Sequence, residues 1–541
     1  MPRPGVFFSH TPPPAQGLSA RADVAMVAGL LARRPGPVPE ALLAALEAAG
    51  WAGAGPFARS PEAVEALLDC PVAVESWDEF DALFDWRGRT PSPGDERPVP
   101  SPTGLAVRSF FAQGGRRAWI VRTGDPLPVV VPGEDAASHR ATRALRLSLP
   151  FAQEAAADFV PLLPGLGGVG RPVSAQDPAT WRGAAHLLGI DEAAMLLLPD
   201  LPELCAGPPA PAAVLPSPPP PPEAFRPCGP LATDEAATPA PLPLSAPRLD
   251  AEGFALWARA LRHALALAEA PGGAHHRRDA ILIASLPRPA PGAGEALAPL
   301  ETLAAVEPIG DGTSALSESW LGSRRLQLAY PWIATPGAAS APEGLEGAEG
   351  IAAGLIARSA LALGAHRSAA GRGVTGATRL SPELGSGELA RGLAPGAAGG
   401  ADWAGDRLTL VARGTSGFRL VSDATAAVAR EGRAGGVSRL IGVIERAARE
   451  LGQAHLFEPS GEALWAETRA ALTGLMERLR EAGAFAGAPG EAYTVRCGRD
   501  TMSQADLDAG RVIAEVSFRA AQPIQQVRVT LALGRAREAQ G

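Results

Sequence analysis

Residues 453–533 read QAHLFEPSGEALWAETRAALTGLMERLREAGAFAGAPGEAYTVRCGRDTMSQADLDAGRVIAEVSFRAAQPIQQVRVTLAL. Leu464, Trp465, Leu472, Leu475, Met476 and Leu479 recur at helical spacing, which predicts a helix from Gly461 to Ala482. Ser460 is the expected cap and Gly483 the stop. Glu467, Arg469, Glu477, Arg480 and Glu481 lie off the apolar stripe, available to solvent or a partner. A mixed-charge face of this kind is usually only solvated. The stretch is expected to open on a strand ahead of this helix, and a strand over AYTVRC, a short capped turn and two final strands are expected after it. In the last of these Val527, Val529, Leu531 and Leu533 alternate with Arg528, Thr530 and Ala532, the period of two that a strand requires.

Working outward, the 541 residues exceed one ordinary core, and at about 100–200 residues per domain they predict two to four units. We read two, one of them enlarged. Apolar residues make up 46% and charged ones 20%, enough buried surface for a globular fold. All 49 basic residues are Arg, which removes P-loop, Schiff-base and other catalytic lysines. A net charge of −8 argues against a protein that coats nucleic acid. Cys70, Cys205, Cys228 and Cys497 are far apart, without metal-ligand spacing, and read as reduced thiols. No signal peptide and no membrane span is recognisable, so assembly in the cytoplasm without membrane insertion is expected.

At the other end, Gly5-Val6-Phe7-Phe8 is a short extended piece that Pro12–Pro14 prevent from becoming a helix. Such a strand must pair with something to satisfy its backbone. Residues 22–37 hold a buried apolar run ending in a turn, and residues 39–69 are helical around an interruption. CPVAVESWDEFDALF reads as a strand leading into a helix, with Ser76 and Glu79 as a capping box and Trp77, Phe80, Leu83 and Phe84 on one face. Its carboxylates read as helix-dipole compensation on a solvated face. A helix at 105–113, a Gly114-Gly115 stop and a strand at 118–122 come next. Strands at 194–198 and 280–285, a helix at 251–268 and LQLAYPWIATP complete an alternation that predicts an α/β domain over 20–335. Within it, 15 of the 41 residues from Gly207 to Pro247 are Pro, so this insertion cannot form a ladder or a helix interior. A solvent-exposed loop is its simplest reading. After Pro336 the composition turns Gly/Ala-rich, and Leu440, Val443, Ile444, Ala447 and Ala448 mark one helix before the closing stretch.

No catalytic, cofactor or metal site emerges. Gly165, Gly167 and Gly170 satisfy GxGxxG, with Asp191 at a plausible distance, but Pro161, Pro164, Pro172 and Pro178 deny the strand and helix that a dinucleotide site needs. His275 and His276 are adjacent and cannot chelate from one face. There is no GxSxG elbow and no recognisable Cys–His pair.

Several blocks, in order, resemble the contractile tail sheath proteins of phages and of phage-tail-like injection systems. They are Pro4-Gly5-Val6, ADVAMVAGLLARRPG, VAVESWDEFDALF, AVRSFFAQGGRRAWIVR, RDAILIASLP, AYPWIATP, HLFEPSGEALW, GAFAG, AYTVRCGRDTMSQADLDAGRV and the final strand. Phe8-Ser9-His10 replaces the acidic residues that often follow the family's N-terminal arm, Pro523-Ile524-Gln525-Gln526 replaces its usual turn, and the Pro-rich insertion has no equivalent. The resemblance implies an outer α/β domain (20–335, with the insertion 207–247) ahead of an inner α+β polymerisation domain (336–541). It implies strand-exchange arms at 1–19, carrying Val6, Phe7 and Phe8, and at 526–533, carrying Val527, Val529, Leu531 and Leu533. It further implies a helical homo-oligomer of stacked rings around an inner tube protein, with baseplate and tail terminator partners and no nucleic acid. The helix bearing Glu467, Arg469, Glu477, Arg480 and Glu481 is then expected to face the tube. A single chain carrying both end blocks argues against a two-component sheath. A soluble α/β enzyme or binding module with an unrecognised site is the alternative.

Overall fold

The computed structural model describes residues 21–54, 58–154, 157–212, 240–268, 277–289, 321–384, 407–427, 432–455, 458–488 and 490–521. Both arms, His275 and His276, and most of the Pro-rich insertion lie outside the described residues.

Strand β1 (Ala25–Leu30) is buried along its whole length because both of its faces are covered. Ala25 and Val27 enter one apolar cluster, and Met26, Ala28 and Leu30 enter another. The same alternation runs through the eight-stranded sheet formed with β2 (Val72–Val74), β3 (Ala118–Gly124), β4 (Met195–Leu197), β5 (Ile281–Ser285), β6 (Leu326–Tyr330), β7 (Thr409–Gly414) and β8 (Gly417–Leu420). Their order is β8-β7-β6-β5-β4-β1-β3-β2. Neighbours from β3 to β7 run parallel, and β2 and β8 close the two edges antiparallel. The chain lays β3 on one side of β1 and β4 to β7 on the other, so the order reverses at β1. This is the doubly wound α/β arrangement.

Helix α1 (Glu40–Ala48), α2 (Pro61–Glu65), α3 (Trp77–Leu83) and α4 (Pro102–Ala112) contribute to the first cluster. The other face is covered by α6 (Ala251–Ala268), which follows α5 (Ala136–Leu147) in the chain. Ser76 caps α3 by accepting from the Glu79 N–H at 3.2 Å. The expected box is displaced by one residue, since the Glu79 carboxylate accepts from the Glu75 N–H at 2.7 Å and not from that of Ser76.

The boundary expected at 335 is crossed by the sheet, which takes in β7 and β8 at 409–420. What composition marks after Pro336 is close packing. Helix α7 (Glu349–Leu363) lies against α4, and a Cβ at Gly350 or Gly354 would stand 2.3 Å from the Ala106 carbonyl or 2.4 Å from that of Phe110. Small residues let the two backbones touch.

The second unit begins with α8 (Gly435–Ala454) and continues with α9 (Glu462–Glu481), β9 (Tyr493–Cys497), α10 (Gln504–Asp508) and β10 (Ala514–Phe518). Helix α8 has two working faces. Leu440 and Ile444 join Met476 of α9 in a small core, whereas Arg439, Arg446 and Arg449 point into the α/β unit. Arg439 holds Asp423 through bonds of 3.0 and 2.6 Å. Asp279, just before β5, accepts from Arg277 at 3.1 Å, from Arg446 at 3.0 Å and from Arg449. Burial acts to raise the Asp279 carboxyl, but Arg277, Arg449 and Arg446 together hold it well below the usual range.

Removing one member of such a buried cluster strands the remaining charges. Asp279→Ala is therefore expected to lower unfolding stability by about 3–5 kcal/mol. Chemical denaturation of the purified subunit measures this, and a loss under about 1 kcal/mol would show the cluster to be incidental.

Candidate functional site

Doubly wound sheets take ligands in the crevice at the carboxyl ends of the strands where the order reverses. Here that crevice is filled by the chain itself. Asp200, just after β4, accepts from the Leu30 N–H at 2.6 Å and the Thr103 hydroxyl at 2.8 Å. Glu349 and Glu346 are buried close by; the Glu346 carboxylate accepts from Ser109 at 2.8 Å and from Thr335. The cavity that Glu346 and Glu349 help to line is about 30 Å³, room for about one water. Burial pushes Asp200 and Glu346 up to about 7 and Glu349 up to about 8.

Gly165, Gly167 and Gly170 lie in a turn-rich segment, the first three-residue turn spanning Leu166–Gly168, in agreement with the loop reading. A His–Asp pair that sequence reasoning missed joins His186 Nε2 to Asp69 at 2.9 Å. His186 is fully buried against the edge of Trp51, and Asp69 also meets Arg59 at 2.9 Å, so the pair braces the interior. Among the described residues, His455, Glu458 and Glu467 offer ligand atoms within 4.8 Å of one another. The two glutamates are exposed, His455 already meets Glu458 at 3.2 Å, and we assign no metal there. No described helix is long and apolar enough to cross a membrane.

The remaining candidate is the surface of the second unit. Strands β9 and β10 pair antiparallel, with Tyr493 opposite Phe518 and Val495 opposite Val516. Those side chains lie on the small core of α8 and α9, while Thr494, Arg496, Glu515 and Ser517 are exposed. The outward pair Arg496–Glu515 is an ion pair at 3.2 Å. The sheet has two strands, and among the described residues no further strand flanks it. The expected capped turn is α10: Ser503 accepts from the Asp506 N–H at 3.2 Å, and Asp506 accepts from the Ser503 N–H at 2.9 Å. The Ser503 hydroxyl and Arg511 lower the Asp506 carboxyl to about 2.

Helix α9 buries Leu464, Trp465, Leu472, Leu475 and Met476 as the spacing predicts, and Gly483 stops it at φ +79°. Its cap differs from expectation. Gly461 stands at the N-cap, and the Ser460 hydroxyl is taken by the Trp465 indole N–H at 3.2 Å. Glu467, Arg469 and Glu481 are exposed. Glu477 and Arg480 are instead half-buried and joined to each other at 2.5–3.0 Å, with the Tyr493 hydroxyl donating to Glu477 at 2.9 Å. Arg480, then Tyr493, lower the Glu477 carboxyl. This pair clips β9 to α9, a role that sequence spacing alone does not reveal.

The crevice carboxyls set a pH dependence. Their folded values of about 7 to 8 lie above the unfolded value of about 4. The stability they contribute is complete below the unfolded value and is lost as pH rises through about 7 to 8. The melting temperature is therefore expected to fall between pH 5.5 and 8.5, and Glu349→Gln to flatten part of that fall. An unchanged slope in the variant would refute the assignment.

No family model matches the sequence, and no curated protein is detectably similar to it. Solved structures are similar. The chain superposes on a chain of the anti-feeding prophage (AFP) baseplate in contracted state with 18% identity and a TM-score of 0.56, covering 98% of this chain and 99% of that one. For the PVC sheath complex of an extracellular contractile injection system, in contracted state, the values are 14%, 0.52, and 98% of both chains. For the AFP helical sheath in contracted state they are 17%, 0.51, and 98% of both chains. The chain thus has, over nearly its whole length, the fold of contractile tail sheath subunits.

Proposed function

We propose that this protein is a structural subunit of a contractile sheath. Copies polymerise as stacked helical rings around an inner tube, and contraction drives the tube through a target envelope. The observation that carries this reading is the correspondence in length: 98% of this chain matches 98% of sheath chains in the contracted state. The filled crevice favours it over the enzyme reading, because the place where this architecture would bind a substrate is occupied by Asp200 and Thr103.

In this reading the subunits are joined by strand exchange. An arm with Val6, Phe7 and Phe8 and a strand with Val527, Val529, Leu531 and Leu533 add to the open edges of the β9–β10 sheet in neighbouring subunits. Each added main-chain bond is worth about 0.5–1.5 kcal/mol, and the lattice multiplies it. The exposed Glu467, Arg469 and Glu481 of α9 face the tube and make weak contacts that break on contraction. The clip between Glu477 and Arg480 holds that surface in place. The outer part of the α/β unit, with the Pro-rich insertion, faces the exterior. Assembly takes place in the cytoplasm, and baseplate and terminator proteins close the two ends.

Negative-stain microscopy of the protein expressed with its tube protein is expected to show tubes or stacked rings. A strictly monomeric or dimeric species would overturn the proposal. Deleting residues 1–14 is expected to abolish polymers while leaving a folded subunit. Reversing the exposed charges together, as Glu467→Arg, Arg469→Glu and Glu481→Arg, leaves the Glu477–Arg480 clip intact. It is expected to weaken assembly around the tube, and unchanged assembly would refute the tube-facing role of α9.

A further inference from the structure

Asp200, Glu346 and Glu349 are only 2–3% exposed, and among the described residues none of the three is held in an ion pair. Burial is what raises their carboxyls, and the charged groups around them do little to reverse it. Arg89 favours ionisation of Asp200, but Glu203 takes Arg89 at 2.8 Å and itself opposes that ionisation. Arg108 of α4 favours ionisation of Glu346 from a distance, its guanidinium lying over the Trp86 ring at 5.2 Å. The charged neighbours of Glu349 are Glu346 and Asp200, both of like sign.

The neutral groups nearby suit protonated acids. Thr103 serves Asp200, and Ser109 and Thr335 serve Glu346, through hydroxyls that accept from a protonated acid as well as they donate to a carboxylate. Ser285, at the end of β5, accepts from the Glu349 N–H at 3.2 Å, and Glu349 Oε2 is sealed in without a hydrogen-bond partner. Beside Glu346 and Glu349 the wall of the 30 Å³ cavity is built from Pro100, Pro102, Pro199, Pro202, Pro247 and Pro342, and proline has no N–H to donate. An ionised carboxylate in the interior needs a counter-charge or a set of donors. Here it finds neither, and the cavity admits about one water. Ionisation therefore requires the packing to open.

The place where it opens is set by the fold. Glu349 is the first residue of α7, and Thr103 and Ser109 belong to α4. These helices meet by close approach alone where Gly350 faces the Ala106 carbonyl and Gly354 that of Phe110. We propose that the three acids form a proton-operated latch on this seam: protonated, they keep α7 closed on α4, and deprotonated, they release the start of α7 to water while the sheet stays folded. The latch is closed below about pH 6 and released as pH rises through about 7 to 8. Strand β6, buried along its whole length, carries none of these groups and stays protected. The latch is internal to one molecule and does not rest on the sheath reading. Microscopy tests that reading, and hydrogen exchange tests this one.

The test is amide hydrogen exchange of the full chain at pH 6.0 and 8.5, each corrected for the intrinsic effect of pH on exchange. Protection of residues 350–357 is expected to fall roughly tenfold or more at the higher pH relative to that of β6. Glu349→Gln keeps the shape of the protonated acid and is expected to retain most of that protection at pH 8.5. Glu346→Gln tests the same latch should the first variant not fold. Unchanged protection of the seam, an equal fall in β6, or a wild-type fall in the folded variants would overturn the proposal.

Discussion

The placement of the second unit depends on one buried carboxylate. Asp279 sits at the entry to β5 and takes guanidinium groups from Arg277 of its own segment and from Arg446 and Arg449 of α8. A charge cannot be left alone in the interior, so the α/β unit and α8 have to meet in one register. An apolar contact would tolerate small shifts, whereas a fan of guanidinium donors on one carboxylate does so far less. Arg439 on Asp423 repeats the device two turns earlier along α8 and fixes the helix at a second point. The small core of α8, α9 and the β9–β10 sheet is then carried as a unit on a helix that is already anchored.

What sequence reveals follows from the range of the interactions. Helix α9 was legible because a period of 3.6 is a local property, and β1 stood out as an unbroken apolar run. The helix expected at 251–268 is helical throughout those residues, and the buried residues of α9 are five of the six expected, with Leu479 half-buried. Local rules failed where a side chain had another use. Ser460 resembles an N-cap but serves the Trp465 indole, and Glu79 reaches one residue beyond the expected box. The supposed boundary at 335 was a Gly/Ala signal from helices in close contact, since only small residues fit where α7 meets α4.

The Asp279 cluster was out of reach because Arg446 lies 167 residues away along the chain. His186 on Asp69, 117 residues apart, was hidden for the same reason. Of the residues expected to act, those on α9 divide into a fully exposed set and a half-buried pair tied to β9, a distinction that needs the position of Tyr493. The terminal arms lie outside the described residues.

The two kinds of charge in the second unit respond differently to ionic strength. Exposed charges are screened over about 8 Å at physiological salt, and buried pairs much less. Glu467, Arg469 and Glu481 stand in water, whereas Asp279 and its arginines do not. Salt therefore screens the exposed charges of α9 well before it weakens what α8 grips within. Raising the salt would change what the outside of α9 attracts while each molecule kept its internal geometry.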